Sequence, residues 1–227
     1  MRRTILVLAA LSLGGCDHDP HPLGPDVGFG PSGGNIEGSG NVITQSRSIT
    51  DFQAVSFNGI GHLVIEQTGT NSLTVTADDN LLPVLVSNVV NGSLRLGVAR
   101  DTNIGRVSQI VFHLTVVSLD ALSAAGAATI EATDIDGETI DIHLSGAITA
   151  SISGHADRQD ISLTGASTYQ ASALDSREVV VDAVGASSVT LRVSERLDAR
   201  VRGASLITYI GDPVVTVDGP PGSVQRQ

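Results

Sequence analysis

From about residue 119 onward, apolar and polar positions alternate with a period of two, and the alternation is phased to a recurring dipeptide. Gly-Ala stands at Gly126-Ala127, Gly146-Ala147, Gly165-Ala166, Gly185-Ala186 and Gly203-Ala204, at spacings of 20, 19, 20 and 18 residues. Four and two residues before each glycine lie Leu122 and Ala124, Ile142 and Leu144, Ile161 and Leu163, Val181 and Ala183, Ala199 and Val201. Four and six residues after it lie Ile130 and Ala132, Ala150 and Ile152, Tyr169 and Ala171, Val189 and Leu191, Ile207 and Tyr209. Between them stand polar residues such as Thr129, Thr149, Thr168 and Ser188. Such alternation predicts strands with one face buried.

Each unit therefore predicts a strand, a Gly-Ala bend, a second strand and a polar turn, such as "DIDGET" (Asp134 to Thr139) or "GHADRQD" (Gly154 to Asp160). One unit cannot bury its own apolar face. Stacked in parallel, successive units place like residues over like at about 4.8 Å. Glycine permits the bend, and the following alanine is expected in a crowded corner. Units of 18–20 residues suit one coil of a parallel β-helix. An antiparallel sandwich also has regularly recurring strands, but it does not need the same dipeptide at one phase five times.

The first half alternates less regularly. Val64, Leu73, Val75 and the run Val84 to Val86 are strand-like, and Asn91-Gly92 predicts a tight hairpin turn. "ADDNLLPVLV" has room for one short helical turn, limited by Pro83.

"SFNGIGHLVIEQ" (Ser56 to Gln67), "LTVTADDNLLPVLVSNVVNGSLRLGV" (Leu73 to Val98), the five coils and the ending "YIGDPVVTVDGPPGSVQRQ" (Tyr209 to Gln227) together resemble the bacterial head GIN domain family. That family carries the label of auto-transporter adhesin. The resemblance implies an all-β, right-handed parallel β-helical head, exported and often lipid-anchored, with no established enzymatic activity and no functional residues to transfer.

The opening "MRRTILVLAALSLGGC" has the order of an export signal: Arg2 and Arg3, the apolar run Ile5 to Leu13, then small residues. That run is too short for a permanent membrane span. Leu13-Gly14-Gly15-Cys16 resembles a bacterial lipobox, in which the leader is cut before a cysteine that is then acylated. Cys16 is the one cysteine in the chain, so no intramolecular disulfide competes for it. Two or more acyl chains hold a protein firmly to a bilayer. Asp17, next to it, resembles an inner-membrane retention signal of enteric bacteria, a rule that does not extend to all phyla, so either membrane is open. The expected organisation is a signal peptide at 1–15, a lipidated Cys16 and flexible linker through residue 40, and a head at 41–227 with regular coils over about 119–211. The linker, Asp17 to Gly40, holds four prolines and seven glycines. His18 and His21 beside Asp17 and Asp19 lack the fixed geometry a metal site needs.

The composition is 41% hydrophobic but 3% aromatic with no Trp, so the core must be aliphatic. Net charge is −11 and every basic residue is Arg. Without a basic stripe, nucleic acid is not an expected partner. No phosphate loop or His-Glu-x-x-His motif occurs.

A carboxylate cluster would be needed for a polysaccharide-cleaving β-helix or for a cation. The candidates are Asp134, Asp136 and Glu138 in one turn and Asp157 and Asp160 in the next. Polar turns use Asp and Gly in any case. His143 on an outward strand position and His155 in the following turn are candidates for a pair, with a solvated surface as the simpler account. Sugar sites commonly use aromatic platforms, but Tyr169 and Tyr209 both fall at inward positions. Arg192, Arg196, Arg200 and Arg202 would suit an anionic glycan or lipid headgroup, or simply guard a charged edge against end-to-end stacking.

The expectation is a non-catalytic, lipid-anchored cell-envelope protein with no cofactor or metal. It presents an adhesin-like head to a glycan or envelope protein, in the periplasm or at the cell surface. A periplasmic interaction or structural module is the alternative, and a polysaccharide-active β-helix enzyme comes third.

Overall fold

The computed structural model of the protein describes residues 35–227. Within them the chain is all-β, and one 3-10 turn at Leu82–Val84 carries Pro83 in its first turn. The strands are β1 (Val42–Arg47), β2 (Ala54–Gln67), β3 (Ser72–Asp78), β4 (Leu85–Val90), β5 (Ser93–Val98), β6 (Ile110–Val116) and β7 (Ala121–Gly165). Then follow β8 (Thr168–Asp175), β9 (Glu178–Gly185), β10 (Ser188–Arg192), β11 (Arg196–Gly203), β12 (Leu206–Ile210), β13 (Val214–Asp218) and β14 (Val224–Arg226).

The repeat units pair in parallel and in register. On one side of the glycine bend, β7 pairs with β9, β9 with β11 and β11 with β13. On the other, β7 pairs with β8, β8 with β10, β10 with β12 and β12 with β14. The long strands β2 and β7 bend and run through both ladders. The antiparallel alternative does not hold for the repeats. Antiparallel pairing is confined to one end, in β1–β3, β3–β6 and β4–β5.

The first half contains a sixth unit. β2 lies in register on β7 from Ala54↔Ala121 to Glu66↔Thr133, so Gly59-Ile60 occupies the Gly-Ala place. The intervening β5 and β6 return to cover the outer edge of β2, which is why the period is hidden there. Asn91 and Gly92, with φ of 51° and 75°, close the β4–β5 hairpin.

The six stacked glycines, Gly59, Gly126, Gly146, Gly165, Gly185 and Gly203, all have positive φ, between 86° and 137°. At Gly165 a Cβ would stand 2.7 Å from the Gly146 carbonyl oxygen, which already accepts the Ala166 N–H at 2.9 Å. Glycine is thus required twice, by conformation and by contact. The alanine does not fill a crowded corner as expected. Ala127, Ala147, Ala166, Ala186 and Ala204 are exposed, because the left-handed glycine turns the next side chain outward. The crowding falls on the glycine itself and on the residue after the alanine, where Ser167, Ser187 and Ser205 are buried.

Residues at the inward positions of both ladders form one continuous buried cluster. Every inward residue named from the alternation is buried except Tyr209, which is half-buried. Full burial of one such aliphatic side chain is worth about 1.5–3 kcal/mol, so the repeated rows, more than the turns, hold the stack together. The turn "GHADRQD" is only partly polar in its placement, because Ala156 and Gln159 are fully buried. Gln159 occupies the row of Val179 and Leu197. It is satisfied inside the core, where Tyr169 Oη donates to Gln159 Oε1 at 2.8 Å and Gln159 Nε2 donates to Ser176 Oγ at 2.7 Å. Burial pushes the Tyr169 hydroxyl far above its ordinary pKa and keeps it a donor.

The chain joins the head at Ile36, ahead of the boundary expected at residue 40. Ile36 bridges Ile104, and residues 37–41 are bound to the turn after β3. Asp78, fully buried, accepts from Gly40 N at 2.7 Å, Ser108 N at 2.9 Å and Ser108 Oγ at 2.9 Å. Asp79 accepts from Asn41 Nδ2 at 2.8 Å and Glu37 from Arg106 N at 2.7 Å. The Ser108 N–H above all holds the Asp78 carboxyl below its usual range, and the Ser39 hydroxyl does the same for Asp79.

Candidate functional site

The candidate residues named from the sequence are dispersed rather than gathered. Cys16, His18 and His21 lie outside the described residues. In the first acidic turn, Asp134 adopts a left-handed conformation with φ of 58°. The Asp136 main chain is clasped by Gln67, which accepts from its N–H at 3.1 Å and donates to its carbonyl at 2.9 Å. In the next turn, Arg158 engages Asp160 at 2.7 Å and Glu178 at 3.2 Å, and Asp157 faces His155 at 3.6 Å. Glu138 instead lines a separate depression with Asp120 and Asp141. No group of three or more His, Cys, Asp or Glu side chains converges as metal ligands among the described residues.

The arginine cluster is mostly spent at home. Arg192 pairs with Asp175 at 3.3 Å, Arg196 with Asp198 at 2.7 Å and Arg202 with Asp182 at 3.5 Å. Arg200 lies in register between Asp182 and Asp218. These arginines therefore do not form a free cationic patch, and they sit on β10 and β11 rather than on the terminal strands. His143 and His155 do not pair. His155 meets Asp157 in a turn, whereas His143 lies on the open face of the first ladder.

That open face carries a candidate site. Three residues before the stacked glycines lie Ser56, Ser123, His143 and Ser162, and one residue before them lie Asn58, Ala125, Ser145 and Thr164. Together these line a shallow trough of about 280 Å³. Strand alternation aims the side chains outward while their Leu and Ala neighbours fill the core. The trough holds no carboxylate, ammonium or guanidinium.

Its hydroxyls are also left unengaged by other groups among the described residues. On the other ladder outward hydroxyls are used across strands, as in Thr44–Thr76 at 2.7 Å, Ser72–Thr115 at 2.8 Å and Ser151–Gln170 at 3.2 Å. The trough therefore offers groups that both donate and accept, on a surface whose main-chain groups are consumed by the ladder.

Two features were missed by the alternation argument. Gln159 stands six residues before Gly165, where the units on either side have Ile140, Val179 and Leu197, so a polar residue among apolar neighbours was the available signal. The Asp78 anchor had only "ADDN" to mark it, since its partners Gly40 and Ser108 are 38 and 30 residues away.

These features define a repeat-built, all-β head with a shallow outward trough that no carboxylate or guanidinium lines. The chain belongs to the family described as "putative auto-transporter adhesin, head GIN domain", whose model matches residues 51–213. Comparison with curated proteins gave no match. Among solved structures, a Bacteroides fragilis protein described as a "putative adhesin" shares 18% identity with a TM-score of 0.66, over 85% of this chain and 96% of that one. A Parabacteroides distasonis protein described as a "putative lipid binding protein" shares 20% identity with a TM-score of 0.57, over 86% of this chain and 100% of that one. At these identities the likeness is one of fold.

Proposed function

We propose that the chain is a non-catalytic binding module of the bacterial cell envelope, held to a membrane through acylated Cys16. In this reading residues 1–15 are removed on export, and the linker through about residue 35 lets the head stand off from the bilayer. The head is a right-handed parallel β-helix, a reading supported by the in-register parallel pairing of successive units and by the single core shared by the two ladders. It acts by display, making weak contacts with an uncharged polar partner, foremost a glycan, along the face lined by Ser56, Ser123, His143 and Ser162. The observation that carries the binding role is the trough's row of unspent hydroxyls. The pairing of Asp160 with Arg158 and of Asp157 with His155 supports a non-catalytic role.

The test is a binding measurement on the immobilised full chain, exposed to purified glycans and to solubilised envelope proteins from its own source. The expected result is saturable glycan binding that falls at least about tenfold, or 1.4 kcal/mol, when Ser123→Gln and Ser162→Gln fill the trough. A single protein partner with no glycan signal would replace this reading with that of an interaction module.

A further inference from the structure

We infer that the end of the stack formed by β13 and β14 is a self-complementary contact through which two copies of the chain join tip to tip. The two ends of the stack differ. At the first, β3 to β6 fold back over β2, and the chain enters through Ile36 to Gly40. At the other, among the described residues, no strand lies beyond β13 in one ladder or β14 in the other. The inward row Ile161, Val181, Ala199 is at most 3% exposed, but Val217, next in that row, is 46% exposed. Val214 on the same strand is 73% exposed. The core is open there, and the strand beside it has free main-chain groups.

The direction of those groups fixes how a partner pairs. Val214 N–H donates to the Glu195 carbonyl at 2.8 Å. By the alternation of a parallel ladder, Val214, Thr216 and Asp218 turn their main-chain groups to β11, and Val215 and Val217 turn theirs outward. An antiparallel copy of β13 centred on Thr216 sets Val215 opposite Val217 of the second copy, and the reverse. These are the residues with free N–H and C=O groups, and their side chains point into the core rows. One register therefore completes the hydrogen bonds and closes the apolar row at once. Pro213 and Pro220 bracket the strand and hold the pairing to this short register.

The geometry also favours a second copy over a lone peptide. An extended peptide covers one edge, whereas a like end brings an edge to each ladder. Charge agrees. Residues 176–227 hold six arginines and six carboxylates, residues 35–118 at the opposite end four arginines and six carboxylates, and residues 119–175 between them one arginine and nine carboxylates. Two acidic chains thus meet most cheaply at this end. The contact is two-fold and closes at two copies. On the anchoring reading above, it would join heads on facing surfaces, because the tether enters at the opposite end.

Sedimentation velocity of the full chain bearing Cys16→Ser, which carries no acyl group, from about 1 μM to about 1 mM tests the inference. The expected result is a monomer–dimer equilibrium, weakened at least about tenfold by Val217→Pro. That substitution removes an outward N–H from an edge strand, and its melting temperature reports whether the fold is kept. Hydrogen exchange on the unmodified chain gives the variant-free measure, with the Val215 and Val217 amides gaining protection as the dimer forms. A chain that stays monomeric, association beyond two copies, unchanged dimerisation of Val217→Pro, or no gain of protection in 214–218 would each overturn it. None of these outcomes depends on glycan binding or on acylation.

Discussion

Gly165→Ala places one methyl group inside the glycine stack, against the main chain of the unit before it. The new Cβ would lie 2.7 Å from the Gly146 carbonyl oxygen and 3.1 Å from its nitrogen, on a residue with φ of 103°. An L-residue held in such a sparsely populated region costs about 1–3 kcal/mol. Relieving the contact moves the carbonyl away from the Ala166 N–H it now accepts at 2.9 Å, which forfeits much of a hydrogen bond worth about 0.5–1.5 kcal/mol. The expected destabilisation is therefore about 2–4 kcal/mol, a large part of the usual 5–15 kcal/mol of a folded domain. For a domain of this size it lowers the melting temperature by about 4–16 °C. Two controls separate the causes. Gly137 has open space and no left-handed φ, so Gly137→Ala should change stability by less than about 1 kcal/mol. Gly69 has φ of 81° and open space, so Gly69→Ala reports backbone conformation alone. Denaturant unfolding of the three variants decides the matter. If Gly165→Ala unfolds like Gly137→Ala, the glycine ladder is not what holds the coils in register.

Tyr169→Phe should cost about 1–3 kcal/mol in chemical unfolding, because it strands the buried Gln159 Oε1. Adding Gln159→Leu and Ser176→Ala should restore part of that loss, and a further additive loss would refute the network. The residue 36–41 clasp should hold at neutral pH and open in acid. The carboxyls of Asp78 and Asp79 are depressed below 3.8, so their contribution is complete above that value and is lost as pH falls through the lower folded values. Exchange protection of residues 36–41 that persists unchanged to about pH 2 would contradict this. Cys16→Ser should move the chain from the membrane to the soluble fraction, and retention in the membrane would refute the acyl anchor.

The period of the chain by itself determined much of the fold. Alternation phased to Gly-Ala named the buried rows of the coils, because side-chain direction in a strand depends only on parity. The Asn91-Gly92 pair predicted the hairpin, and "ADDNLLPVLV" had room for the one short turn that forms at Pro83; both are local in cause. The first coil escaped the period, since Gly59 and Gly126 stack across 67 residues and Ile60 replaces the alanine. The expected export signal and acylated Cys16 rest on order and spacing alone and lie outside the described residues.

Tertiary structure decided which polar residues are spent and which are free. Outward Ser123 and Ser151 look alike in sequence, yet Ser151 bonds Gln170 across a strand while Ser123 faces the open trough. The second acidic turn and the arginines looked like sites until their partners, 2 to 20 residues away, were seen to pair with them. Strand parity says which way a side chain points. What it meets there depends on which coils are neighbours, and only the stacked chain sets that.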